Sequence, residues 1–325
     1  MAEVETLVSG TLCTTALYTT APMTPLPVAE PNAWRAAREG AAWADLSARE
    51  QLRITGSERV EFLHGMCTND ITALKVGESL YAAFLTPKGA MVCDARVLKR
   101  ADDLVLDTGP GQRAALRAFL EKYLISEDAE LIDAPELAVV GLLGPGAAEA
   151  AGSVLPEWVL GRLASEFPQG VDLLVGREHL GRVHDSLRPI GQVDAATLEV
   201  LRVEAGVPRF GSDLTETTIP LEANLERAIA LNKGCYVGQE VIARATYRGH
   251  MNRKLTGLLL GAQAPEPGTE LQLGGKKVGW LTSVVTSALR GQNVALGYVH
   301  KDSLAAGTVL EVQGGGTATV AALPL

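Results

Sequence analysis

Apolar positions along the chain fall into two regimes. In the first, strand-like and helix-like periods alternate. In the second, only short strand-like runs remain. Residues 51–55 read as a strand, and Ser57 is the expected cap of a short helix carrying Val60, Phe62 and Leu63. Residues 79–86 and 90–98 read as two strands joined by Pro87-Lys88-Gly89, the chemistry of a tight turn. A further strand is expected over 103–108. Leu116, Phe119, Leu120, Tyr123 and Leu124 recur at helical spacing, which predicts a helix over 112–125. Residues 137–143 form an unbroken apolar run, read as a buried strand ending at Gly144-Pro145-Gly146. A short helix over 147–151, a strand over 171–175 and a helix over 195–205 follow, the last stopped by Gly206.

From residue 251 the pattern changes. Six short strands are expected over 254–260, 270–273, 277–285, 294–299, 308–312 and 317–323. They are separated by turn signals such as Pro265-Glu266-Pro267-Gly268 and Gly314-Gly315-Gly316. Strands of this length and spacing read as a small antiparallel barrel. The fold class is therefore α+β in front and all-β behind. The expected division is a loose tail over 1–30, an α+β region of two interleaved subdomains over 31–249, and a barrel over 250–325. Pro22, Pro25, Pro27 and Pro31 argue against regular structure in the tail. Glu3 and Glu5 sit where a secretory signal needs positive charge, and Met23 is a candidate start.

Composition narrows the function classes. The 325 residues carry 29 Lys and Arg against 38 Asp and Glu, a net charge of −9. That balance, with few aromatic residues, disfavours a nucleic-acid partner or an anionic membrane surface. No apolar run reaches membrane-spanning length. Cys13, Cys67, Cys93 and Cys235 are scattered and form no C-x-x-C pair, so neither a disulfide framework nor a zinc site is expected; a reducing, cytoplasmic setting fits. Phosphate-cradle, dinucleotide and serine-hydrolase motifs are absent.

The densest chemistry lies in Asn232-Lys233-Gly234-Cys235-Tyr236-Val237-Gly238-Gln239-Glu240, followed by a helical stretch over 241–247. A thiol two residues from an ammonium and just ahead of a helix start would be favoured as thiolate by both. The plainer alternative is a buried, inert free cysteine in a glycine-rich turn.

This run resembles the K-G-C-Y-x-G-Q-E signature of the YgfZ-type folate-binding proteins, a branch of the glycine-cleavage T-protein (aminomethyltransferase) superfamily. Asp45-Leu46-Ser47, Phe62-Leu63-His64-Gly65, Thr68-Asn69-Asp70, Leu142-Leu143-Gly144-Pro145, Arg202-Val203-Glu204 and Pro220-Leu221-Glu222-Ala223-Asn224-Leu225 resemble further family segments, over roughly residues 40–325. The resemblance implies a ring of three subdomains with a C-terminal antiparallel barrel, around a channel that binds tetrahydrofolate. It implies an accessory role in iron–sulfur cluster assembly or repair, with iron–sulfur enzymes, including tRNA-modifying ones, as clients. The other readings kept open are a folate-dependent aminomethyltransferase and a folate sensor.

By the same resemblance Cys235 is the reactive thiol and Lys233 lowers its pKa, while Tyr236, Gln239 and Glu240 belong to the loop. Asp94 matches the second acid of a T-protein pair whose first position is here Cys93. A carboxylate can hold a pterin edge by paired hydrogen bonds. A solvent-facing strand position is the alternative for Asp94, and a turn cap for Asn69. Glu204 with Arg202 either faces the ligand or forms a pair on a solvated face. The stretch 227–254 holds Arg227, Lys233, Arg244, Arg248, Arg253 and Lys254 against Glu240 alone, so it either receives an anionic tail or partner, or is a solvated face. His64 and His250 lack metal-ligand spacing and read as structural.

Overall fold

The computed structural model describes residues 25–247, 249 and 251–325. Cys13, Arg248 and His250 lie outside them. Helix α1 (Pro31–Glu39) leads into β1 (Ala42–Asp45), β2 (Glu50–Thr55) and α2 (Arg59–Met66). The hairpin β3 (Ser79–Leu85) and β4 (Met91–Lys99) follows, then β5 (Leu104–Thr108), α3 (Arg113–Glu121), β6 (Glu130–Asp133) and β7 (Leu137–Leu143). Next come α4 (Ala147–Ala151), β8 (Val159–Leu163), β9 (Val171–Gly176), α5 (Leu180–Leu187), β10 (Gly191–Val193), α6 (Ala195–Ala205) and α7 (Gln239–Tyr247). The last six strands are β11 (Arg253–Gly261), β12 (Glu270–Leu273), β13 (Lys276–Ser287), β14 (Gln292–His300), β15 (Val309–Val312) and β16 (Thr317–Ala321).

These elements build two five-stranded sheets and a closed barrel. The first sheet runs β3-β4-β5-β2-β6, the second β10-β1-β7-β9-β8, and the barrel β11-β14-β13-β12-β15-β16. The chain enters the second sheet with β1, leaves to make the first, then returns, so the two are interleaved. Closure removes free edges from the barrel, and its interior is filled by Leu258, Leu271, Leu281, Val299 and Leu310. A separate core joins α6, the β3–β4 hairpin, α7 and the barrel through Leu85, Val203, Leu225, Ile242 and Leu296. Each fully buried side chain of this size contributes roughly 1.5–3 kcal/mol, so this seam fixes the barrel against the α+β half.

Several expectations need correction. Ser57 does not cap α2. Its N–H and hydroxyl both donate to Asp128 (3.0 and 2.6 Å), and Glu58 takes the cap position without a side-chain bond. The helix expected over 112–125 ends at Glu121, because the chain tightens there and leaves Ile125 88% exposed on its way back to β6. Pro31 is the first residue of α1, where a missing N–H costs nothing, and the Glu30 carboxylate accepts from the Asn32 and Ala33 amides. The described part of the expected loose tail is docked. The Pro27 carbonyl accepts the Thr286 amide at 3.1 Å, Leu26 packs on the barrel core and Ala29 is buried.

Candidate functional site

The β3–β4 hairpin carries the first half of the site. Gly89 turns it at φ +77°, where its amide donates to the Thr86 carbonyl at 2.8 Å. Along β4, Cys93, Ala95 and Val97 enter the apolar core of the first sheet, so strand alternation turns Asp94 and Arg96 to the opposite face. Asp94 is 8% exposed. Its Oδ2 accepts the Tyr81 hydroxyl at 2.9 Å, while Oδ1 is buried with no partner. Burial, and next the Glu166 carboxylate, push the Asp94 carboxyl up to about 6, against the pull of Arg49, Tyr81 and Arg96. The solvent-facing alternative for Asp94 is therefore set aside.

A charged network runs behind Asp94 between the two sheets. Arg96 is fully buried and donates to Asp107 of β5 (2.8 and 2.5 Å) and to Asp172 of β9. Arg49 donates to Asp107 and to Glu166, both at 2.7 Å, leaving Nη2 buried and unpartnered. The Arg227 guanidinium lies 5.0 Å from the centre of the Tyr81 ring.

Asn69 ties this half to the signature loop. Its Nδ2 donates to the carbonyls of Tyr81 (2.9 Å) and Arg227 (3.2 Å), and its Oδ1 accepts the Asp70 amide. Its own carbonyl accepts Lys233 Nζ at 3.0 Å. The Lys233 ammonium also bonds the carbonyls of His64 and Cys67, the latter at 2.8 Å. These oxygens lie at and just beyond the end of α2, where unpaired carbonyls and the helix dipole draw a cation. The expectation that Lys233 serves the Cys235 sulfur is thus corrected: its donors are spent on α2. Burial lowers the Lys233 pKa.

The rest of the loop is held by backbone and glycine geometry. The Val237 amide donates to the Gly65 carbonyl at 3.2 Å, and the Tyr236 amide to Gln239 Oε1 at 3.1 Å. Gly238 has φ +84°, and a Cβ there would lie 2.6 Å from the Thr86 carbonyl. Tyr236 is half-buried with Lys233 Nζ 4.9 Å from its ring centre, and burial pushes its hydroxyl up to about 12. Cys235 is exposed, whereas Cys67 and Cys93 are buried. The inert-core alternative for Cys235 fails on that exposure. Glu240 does not brace the loop; it is exposed and pairs with Arg244 at 2.7 Å.

Arg202 and Glu204 lie elsewhere. They do not pair, and neither faces solvent. Arg202 donates to Glu199, Asp213, the Val207 carbonyl and Ser283. Glu204 accepts from Trp34 Nε1 (2.9 Å), Arg38 (2.8 Å) and Ser287 (2.6 Å). Arg202 locks α6 to the barrel and Glu204 locks it to both α1 and the barrel, with every polar side-chain atom engaged, which corrects their reading as ligand contacts. The basic stretch is also largely partnered: Arg253 with Glu222, Lys254 with Glu226, and Arg227 with the Ser165 and Glu166 carbonyls.

Sequence reasoning missed Tyr81, Arg49 and Glu166. The signal for Tyr81 was present: a hairpin turning at Gly89 sets Tyr81 opposite Arg96, diagonal to Asp94. Arg49 and Glu166 come from loops beside different sheets, and no local pattern joins them. Among the described residues no group of three or more His, Cys, Asp or Glu is arranged to hold a metal, and no helix is long and apolar enough to cross a membrane.

This is the architecture of an aminomethyltransferase T-protein ring with its terminal barrel. The GCVT N-terminal domain matches residues 24–167, and the glycine cleavage T-protein C-terminal barrel domain matches 253–325. An aminomethyltransferase of Symbiobacterium thermophilum is 30% identical over 320 residues, covering 86% of this chain and 83% of that protein. The tRNA-modifying protein YgfZ of Yersinia pseudotuberculosis is 29% identical over 292 residues, covering 84% and 88%. The crystal structure of aminomethyltransferase T from Bartonella henselae superposes with a TM-score of 0.80 at 24% identity, over 92% of this chain and 91% of that one. The chain belongs to the glycine cleavage T-protein family.

Proposed function

We propose that this chain is a tetrahydrofolate-binding protein of the YgfZ type that supports iron–sulfur cluster assembly or repair in the cytoplasm, with Cys235 as its reactive thiol. The observation that carries the folate reading is a pair of buried, unpartnered atoms in the charged cluster, Asp94 Oδ1 on the hairpin and Arg49 Nη2 from the β1–β2 loop. Buried polar atoms of a native fold are nearly always partnered. An acceptor and a charged donor left over in one charged cluster suit a ligand with hydrogen-bonding edges, as a pterin has. Asp94 and Arg49 would hold that ligand, and Tyr81 would fix the Asp94 carboxylate. Asn69 and Lys233 are positioning residues that set the loop. Exposed Cys235 is available to sulfur species or to a client enzyme.

Calorimetric titration with tetrahydrofolate tests the reading. Wild type and Cys235→Ala should bind alike, and Asp94→Ala should bind at least about tenfold more weakly, the loss of one charge-assisted hydrogen bond. In cells, Cys235→Ala should abolish support of iron–sulfur enzymes. Normal activity of those enzymes would remove the thiol from the account.

One observation favours a second reading, a folate-dependent aminomethyltransferase. Cys93 faces the apolar core, so the missing acid at that position takes no carboxylate from the Asp94 face. Formation of methylenetetrahydrofolate from an aminomethyl donor by the purified protein would support it.

A further inference from the structure

A second cluster of unpartnered polar atoms lies where α5 crosses the β1–β10 edge of the second sheet. Trp43 and Asp45 of β1, His184 and Asp185 of α5, Arg188 and Gln192 line a cavity of about 290 Å³. Trp43 is 5% exposed, and its indole Nε1 has no acceptor. The His184 ring packs on it tilted by 33°, with ring centres 4.5 Å apart, and His184 Nε2 is also buried without a partner. Asp45 Oδ2 lies 3.9 Å from that nitrogen, too far for a hydrogen bond. Asp45 Oδ1 is already used by the Ser47 amide, and Arg188 is already paired with Asp185 at 2.5 Å.

Buried Trp N–H groups usually find an acceptor, and leaving one unpartnered is unfavourable. The unmet needs have definite signs. Trp43 Nε1–H asks for an acceptor. Asp45 Oδ2 asks for a donor, and one nitrogen about 2.8 Å from it and from His184 Nε2 would span their gap. Asp45 adds a negative charge, so that nitrogen is best cationic. The volume sits at or below the lower edge of ordinary ligand pockets, roughly 300 Å³, and suits a molecule far smaller than a folate.

We propose that this cavity binds a free α-amino acid as its zwitterion. The ligand carboxylate accepts from Trp43 Nε1–H, and its ammonium donates to Asp45 Oδ2 and His184 Nε2. The site is separate from the Asp94 cluster and does not depend on the folate reading.

The test is a titration of indole-¹⁵N-labelled protein with L-alanine, followed by NMR. The Trp43 indole resonance is identified by its loss in Trp43→Phe. A saturable shift of that resonance is expected, with acetate alone and ethylamine alone each binding at least about tenfold more weakly. Asp45→Asn should weaken alanine binding by a similar factor and leave the thermal melt unchanged. No saturable shift in the millimolar range means that water alone occupies the cavity and overturns the proposal. Equal binding of acetate, or wild-type affinity in Asp45→Asn, also overturns it.

Discussion

Asp94 holds its proton further up the pH scale than a surface aspartate, and the sign of the effect on stability follows. A carboxyl raised from 3.8 to about 6 favours the folded state in its protonated form. That stability is present below pH 4 and is lost as pH climbs through 6. Asp94→Asn keeps the neutral shape at every pH. Relative to this variant, wild type should lose on the order of 3 kcal/mol between pH 4 and 7, read as diverging urea midpoints. Parallel curves would place Asp94 among ordinary surface carboxyls. Lys233 invites the second residue-scale prediction. Lys233→Met strands three carbonyls around α2 and should cost about 1–3 kcal/mol, with faster amide exchange at Val237. Asp94 was legible only because the run around it resembles the T-protein segment in which an acid pair follows a glycine turn. The partners of Lys233 were not, because sequence closeness to Cys235 says nothing about where a long side chain points. The distant carbonyls offered better electrostatics.

Among the elements, the signature loop is set by its contact with a hairpin. Gly238→Ala would force a Cβ against the Thr86 carbonyl at a φ that L-residues avoid. It should cost about 1–3 kcal/mol and loosen residues 233–239, measured by thermal melting and by proteolysis at the loop. All six barrel strands could be read from the chain, since apolar alternation and glycine-rich turns mark them out and β-closure needs nothing else. By contrast β1, β6, β8 and β10 have three to five residues, too few for a period to declare itself, and no regular series of turns frames them as it frames the equally short β12 and β15. Helix α1 was hidden by its own Pro31, which breaks helices in their middle and starts them at their first position. Likewise, Arg202 and Glu204 read as functional candidates because a helix surface cannot announce from sequence that a barrel will cover it.

For the molecule as a whole, the charged network joins the two sheets of the α+β half, beside an apolar seam of Leu98, Val105, Val139 and Leu174. Arg96 bridges β5 and β9 with no exposure to water, so its removal leaves Asp172 buried without its counter-charge and Asp107 with Arg49 alone. Arg96→Met should cost about 3–5 kcal/mol, seen as a lower urea midpoint, with strand content retained by circular dichroism. No sequence pattern marks this joint, because its members come from four separate segments.

The Lys233 tether has a consequence for biosynthesis. The carbonyl of His64 waits for an ammonium 169 residues further along the chain. By the time that lysine leaves the ribosome, the strands of both sheets have already emerged. The sulfur two positions later therefore gains its fixed address only after the strands of both sheets are made, while the six barrel strands, from Arg253 on, are still to come.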